Sequence, residues 1–596
     1  MASYVAPVRD IRFALDAIAD LPKLLSLPAF AHVDSPTVDD LLREYGRFCE
    51  EVFAPLNRSG DLMTSTHDPV SGVVTTAPGF VDAYKQYLDA GWNAVPFDPD
   101  HGGGGFPWVI NLAMQEMMNS ANLGFALGPL LTQGAIDALT HLGTEEQQET
   151  YLRKMVSGEW TGTMNLTEPQ AGSDVGALTA KAVPADDGTW RIFGQKIFIT
   201  YGEHDMTSNI VHLVLARTPG GPAGTKGISL FIVPKFLLDD DGNPGVANDV
   251  RCVSIEHKLG IKASPTCVMA YGDTGEGAVG YLLGQEFQGM RGMFIMMNNA
   301  RLSVGVQGLS IAERAYQDAA QYALERVQGR PIGGQLGDTI IGHPDVRRML
   351  LTMRSQIEAV RGVTYLNANL LDVAKHDSDA DVRQNAQELA DILTPISKGW
   401  GTDLGVEIAS LAVQVYGGMG FIEETGVAQH YRDARILPIY EGTNGIQALD
   451  LVGRKLGLRG GAAFAQMLDS VEASAAELAS ADLGQMADGL SCAVGSIRKT
   501  ATAIGTSEQV AVMSGATAFL RAVSNTVGGW MMARQALAAR AALAAGDDSD
   551  GYYQAKLVTA QFFYEQILVT VDGLCQQTLA GSEAVMALRP DQFASR

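Results

Sequence analysis

The chain has 596 residues, 46% of them apolar and 18% charged, a globular composition and not a disordered one. Its 43 Lys plus Arg against 67 Asp plus Glu leave a net charge of −24, which excludes the broad positive footprint of a nucleic-acid binder but not a local basic pocket for an anionic small molecule.

Residues 1–37 read as a leading arm that ends in Ser35-Pro36-Thr37. A first helical domain, 38–160, follows. Val38, Leu41, Leu42, Tyr45, Cys49, Val52 and Phe53 recur at helical spacing, Val81–Gly91 and Trp108–Asn122 read as helices, and Thr144-Glu-Glu-Gln147 is a capping box opening a helix through Met155. Between them, Pro96–Gly105 reads as a loop. Residues 161–285 change character: Trp190–Phe193, Ile197–Thr200, Ile210–Ala216 and Ile228–Val233 are short apolar runs separated by turn signals, which predicts an antiparallel β-barrel or sandwich. Helical periodicity returns over 286–460, with one stripe through Leu309, Ala312, Tyr316, Ala319, Ala323 and Val327 and a break or kink expected at Pro395. Leu456–Gly461 reads as a hinge, and 461–596 is an Ala- and Leu-rich extra helical domain.

The five cysteines, Cys49, Cys252, Cys267, Cys492 and Cys575, are far apart and form no CxxC, so neither a disulfide framework nor a zinc ribbon is indicated and a reducing, cytoplasmic setting fits. Arg9, Asp10 and Arg12 interrupt the start, so no secretory signal is expected. Met117–Ile136 has the ~20-residue length of a bilayer span, but Asn119, Ser120, Asn122, Pro129, Thr132 and Gln133 interrupt it, and no transmembrane segment is expected. His204, His212 and His257 lack metal-ligand spacing, and no metal site is expected. Met290, Met293, Met296 and Met297 read as core packing.

Four motifs are candidates for chemistry. His101–Phe106 is glycine-rich but is neither a P-loop nor a dinucleotide fingerprint. Thr167–Asp174 offers backbone N–H groups and hydroxyls, or is simply a turn. Ile436–Gln447 places Glu441 just before a helix start, where a carboxylate either answers the helix dipole or acts as a base on a turn that Gly442 permits. Gln414–Gly420 reads equally as a helix C-cap.

In their joint order, and together with Gly143–Gln147, Gly194–Thr200 and Tyr322–Arg326, these segments resemble the acyl-CoA dehydrogenase family of FAD flavoproteins over roughly residues 38–456. The arm and the unit after Gly461 resemble the family's longer bacterial branch. The resemblance implies a mainly α fold with a central antiparallel β-barrel and α,β-dehydrogenation of an acyl-CoA substrate. Glu441 matches the family's base; at the alternative base position stands Ala300, which takes no proton, followed by Arg301. The resemblance also implies FAD contacts from Thr167, Phe198, Ile199, Thr200 and Thr443, with Phe198 where a Trp is often found. Arg326, Gln414, Gly417 and Gly418 match residues that reach the FAD of a neighbouring subunit. Ser173, Asn298, Arg301, Tyr440 and Gly442 match the substrate side. Electron-transferring flavoprotein is the implied acceptor. In the shorter members of the family two dimers pack into a tetramer through the second helical unit; the apolar stripes of 462–596 are expected to fold back onto residues 286–455 and cover that surface, so a homodimer is expected. The rivals are an acyl-CoA oxidase, which makes peroxide without an acceptor, and a non-catalytic scaffold of the same fold.

Overall fold

The computed structural model describes residues 3–594, with the Asn298 side chain outside the described residues. The leading arm is itself structured: Val8–Ala17 and Leu21–Leu25 are helices whose apolar faces are buried. The helix predicted from residue 38 runs Ser35–Phe48, capped by the Asp34 carboxylate on the Thr37 N–H, and continues after a π-turn as Ala54–Leu62. The helix starting at Trp108 reaches Leu142. Its backbone leaves helical geometry at Asn122 (φ −157°, ψ 91°), where the side-chain carbonyl accepts the Phe125 N–H at 3.0 Å. Asn122 thus ends one helix and caps the next, and the second half, almost wholly buried, extends beyond the expected boundary. The capping box at Thr144 forms as read.

The β unit is a closed ring. Strand Trp190–Thr200 pairs with Ala278–Leu283, which pairs with Ile228–Pro234, then Asn209–Arg217, and Lys181–Pro184 returns to the first strand. The expected barrel is present and mostly antiparallel, with two parallel pairings: Trp160–Asn165 runs along Asn209–Arg217, Trp160 opposite Asn209, and Lys181–Pro184 meets the same strand at Lys181 opposite Arg217. Thr266–Tyr271 and Val250–Ile255 extend the sheet beyond Trp190–Thr200.

Three long helices, Gly289–Glu325, Pro344–His376 and Ala380–Tyr416, form the second helical unit. The last passes through Pro395 without the expected break; a mid-helix proline costs about 3 kcal/mol, which its burial among the neighbouring helices outweighs. Ala380–Phe421 is long and apolar enough to cross a membrane by length and composition alone, its most apolar 18-residue window having a mean hydropathy of 1.2. It packs against the other two helices and carries the buried Lys398, as a core helix does.

After the turn at Leu458–Gly461, where Arg459, Gly460 and Gly461 all have positive φ, five helices between Ala462 and Thr578 make the extra unit. Its longest helix, Gln509–Ala544, lies on Pro344–His376 and Ala380–Tyr416 of the same chain.

Candidate active site

Two helices meet with backbone against backbone beneath the Glu441 segment. A Cβ on Gly308 would lie 2.1 Å from the Gly401 carbonyl oxygen, and one on Gly305 would lie 2.5 Å from that of Ser397. This contact brings Arg301, from Gly289–Glu325, and Lys398, from Ala380–Tyr416, under one turn. The turn spans Ile436–Asn444: the Tyr440 N–H donates to Ile436 O at 3.2 Å and the Asn444 N–H to Pro438 O at 3.0 Å. Within it Glu441 has φ 54° and Gly442 φ 84°. A glutamate in the left-handed region is uncommon and persists where its surroundings hold it.

The holding groups surround it. The Tyr440 hydroxyl donates to the Gln307 side-chain carbonyl. Gln447 Nε2 donates to Gly442 O at 3.2 Å. Thr443 caps the helix Asn444–Asp450, its Oγ1 accepting the Ile446 N–H at 3.3 Å. Asn444 Nδ2 donates to Gly399 O at 3.0 Å and to Asp403 Oδ1 at 2.7 Å. Lys398 Nζ donates to Leu437 O at 3.0 Å and to Asn444 Oδ1 at 2.9 Å, one bond on each side of Glu441. Thr443, and not the Glu441 carboxylate, makes the cap hydrogen bond at the start of that helix.

The electrostatics suit a base. Burial pushes the Glu441 carboxyl above its ordinary value, and Lys398 and Arg301 pull it back toward the ionised form. Burial also brings the Lys398 ammonium down to about 7, against the pull of Glu441 and Asp403. Arg301 is buried, and its Nε has no hydrogen-bond partner.

A second group lies on the barrel. The Ile197 N–H donates to Thr167 O at 2.9 Å, and Thr163 Oγ1 donates to Thr200 O at 2.7 Å, so Thr167, Phe198, Ile199 and Thr200 share one corner. Phe198 has φ 60° and stands 59% exposed, an aromatic face that the chain does not pack. Glu168 pins this corner by a fully buried ion pair to Lys196 at 2.8 Å. Burial alone would raise Glu168, but Lys196 and the Thr179 and Ala180 amides bring it down to about 2.

The third group is remote. Arg326, Gln414, Gly417 and Gly418 are exposed at the ends of Gly289–Glu325 and Ala380–Tyr416, which the stacked Tyr322 and Tyr416 rings (4.0 Å) hold together. Gln414 is 16 residues beyond Lys398 on one helix, ~24 Å at about 1.5 Å per residue. Ser173 lies on an exposed loop, and Asn298 sits on Gly289–Glu325 with its side chain outside the described residues. Lys398 and Gln307 had no motif to mark them, and Asn444, Glu168 and Lys196 lie inside marked segments without being singled out, because only the fold brings their partners close.

Family models match the chain in order: acyl-CoA dehydrogenase N-terminal domain over 37–159, middle domain over 163–274 and C-terminal domain over 288–456, then an acetyl-CoA dehydrogenase C-terminal-like domain over 464–589. The chain belongs to the acyl-CoA dehydrogenase family. It is 47% identical to the 3-methylmercaptopropionyl-CoA dehydrogenase of Ruegeria pomeroyi, over 95% of this chain and 96% of that one. It is 36% identical to a broad-specificity linear acyl-CoA dehydrogenase of Mycobacterium tuberculosis, again over 95% and 96%. The structure of Caenorhabditis elegans ACDH-11 in complex with C11-CoA superposes with a TM-score of 0.78 at 21% identity, over 100% of this chain and 96% of that one.

FAD is the cofactor of acyl-CoA dehydrogenases, and the residues present fit it. The exposed Phe198, with the hydroxyl-bearing residues Thr167 and Thr200 at the same corner, suits a flat ring with a polar edge. A Cβ on Gly417 or Gly418 would meet nothing within 4 Å, which leaves the backbone open to a ligand from outside. Among the described residues the exposed Arg326 guanidinium makes one hydrogen bond, to the Gln328 side-chain carbonyl at 3.5 Å, and suits an anion.

Proposed function

We propose that this chain catalyses α,β-dehydrogenation of an acyl-CoA thioester to the trans-2-enoyl-CoA, with Glu441 as the base. The observation that carries the reading is a half-buried carboxylate in a left-handed turn, held over Lys398 and Arg301, with Ala300 at the alternative position. A thioester α-proton is weakly acidic, so the base must be placed and partly desolvated. Glu441 takes that proton. Its own N–H has no acceptor among the described residues and is available to the thioester carbonyl, where negative charge develops. FAD, when bound, accepts the hydride that leaves the β-carbon. Thr167, Phe198, Ile199 and Thr200 are read as holding it from within the chain, with Thr443 beside the turn. Tyr440, Gly442 and Arg301 are read as shaping the substrate side of Glu441, with Asn298 and Ser173 further along the CoA.

Arg326, Gln414, Gly417 and Gly418 lie exposed at the ends of their helices and, following the family pattern, are assigned to a partner's FAD in a homodimer. The apolar surface around them supports this: Leu324, Val327, Met419 and Ile422 are exposed and Phe421 is 88% exposed. Electrons leave to an electron-transferring flavoprotein in the cytoplasm.

The 47% identical relative makes 3-methylmercaptopropionyl-CoA a first substrate to assay, with butyryl-CoA as a linear comparison. Anaerobic addition of either to the purified yellow protein is expected to bleach the flavin and yield a product lighter by two hydrogens. A colourless protein, or a flavin that no acyl-CoA bleaches, would contradict the reading. Peroxide formed without an acceptor would indicate an oxidase instead.

A further inference from the structure

Lys398 is fully buried in the middle of Ala380–Tyr416, a position where a lysine is costly unless its charge is used. Its two hydrogen bonds go to neutral oxygens, Leu437 O and Asn444 Oδ1, which an uncharged donor would satisfy as well. Those two acceptors bracket Glu441, one on the chain before it and one after. Glu441 is the acidic group whose charge bears most on Lys398, and Asp403 is the next. Asp403 is otherwise engaged: it accepts from Asn444 Nδ2 at 2.7 Å and faces Arg521 and Glu407. Arg301, the other cation at the turn, is itself shared with Asp450 and set against Arg454.

We propose that Lys398 is a positioning residue for Glu441: its ammonium fixes the turn from beneath and keeps the carboxylate ionised in a pocket that would otherwise neutralise it. This rests on Glu441 being the base. The sign follows directly. An opposite charge favours the ionised acid, so losing Lys398 raises the proton affinity of Glu441 and moves the acid limb of the reaction to higher pH.

The test is the pH dependence of anaerobic flavin reduction in the FAD-loaded protein at saturating butyryl-CoA or 3-methylmercaptopropionyl-CoA, whichever bleaches. Lys398→Gln keeps a donor and removes the charge; its acid limb is expected to move up by about one pH unit or more, while Lys398→Arg keeps the wild-type limb. A role limited to hydrogen bonding predicts no movement in Lys398→Gln, and a limb that coincides with wild type overturns the proposal. Should Lys398→Gln not fold, Lys398→Met decides: it removes the charge and keeps the length of the side chain, so its limb moves to higher pH as well, and an unmoved limb overturns the proposal. Glu441→Gln is the control. If that variant bleaches at the wild-type rate, the assignment of the base fails; if it is dead while the Lys398→Gln limb is unmoved, only the role of Lys398 fails.

Discussion

Glu168 and Lys196 show what one buried charge pair does for the flavin corner. Both side chains are buried, and the carboxylate also accepts the Thr179 and Ala180 N–H groups at 2.7 and 3.0 Å. Removing one partner strands the other charge, which costs about 3–5 kcal/mol. Glu168→Gln is therefore expected to lower Tm at neutral pH, measured by thermal unfolding. The pH dependence has a definite sign. The folded-state value of Glu168, about 2, lies below its unfolded value of ~4.3. Its stabilisation is complete above the unfolded value and disappears as pH falls toward the folded one. The wild-type advantage over Glu168→Gln should shrink across that window; an advantage that persists unchanged to pH ~2 would contradict the pairing. In the sequence, Glu168 reads only as part of a turn and Lys196 as a strand residue, 28 positions apart. Glu441 is different. Its motif marks it directly, but whether it caps a helix or acts as a base depends on Thr443, Lys398 and Arg301, none of which the local spacing ranks above its neighbours.

Among the elements, the crossing of Gly289–Glu325 with Ala380–Tyr416 places the site. Gly308→Ala inserts a methyl 2.1 Å from the Gly401 carbonyl, so the helices must part. Overpacking of this kind costs about 1–3 kcal/mol. The same separation draws Arg301 away from Lys398, so flavin reduction should fall together with Tm; a fully active variant of wild-type stability would show that the crossing does not set the site. The helix stripes of this unit were legible because burial repeats every three or four residues. The crossing glycines were not, since nothing in a sequence tells a glycine under a neighbouring backbone from one in open solvent. The β unit was legible as alternating runs and turns. Its parallel pairings were not, because Trp160 meets Asn209, and Lys181 meets Arg217, through the barrel and not through a hairpin. The helix after Asn122 was obscured by its polar interruptions, which the fold satisfies internally: Gln115 Nε2, for example, donates to Gln133 Oε1 at 2.7 Å.

Across the whole molecule, both ends of the chain converge on the second helical unit. Asp10 of the arm and Glu358 both take Lys556 of the extra unit, at 2.6 and 3.1 Å. A Cβ on Gly399, Gly528 or Gly362 would collide with Leu520, Trp400 or Met531, contacts made across the same junction. The extra unit thus packs behind the helices that carry Lys398 and covers their outer face. We expect a dimer and not a tetramer by light scattering, because that face is no longer free for a second pair. The flavin should depend on the pair: Arg326→Ala is expected to lose FAD progressively on dilution, and retention equal to wild type at every concentration would contradict a flavin shared between chains.

The most direct test of Glu441 as the base is anaerobic stopped-flow of Glu441→Gln against an acyl-CoA that bleaches the wild-type flavin. An amide keeps the shape of the side chain and loses its basicity. The flavin should remain bound, with its oxidised spectrum intact, and its reduction should slow by ~10²–10⁴-fold or more. Bleaching at the wild-type rate would contradict the assignment.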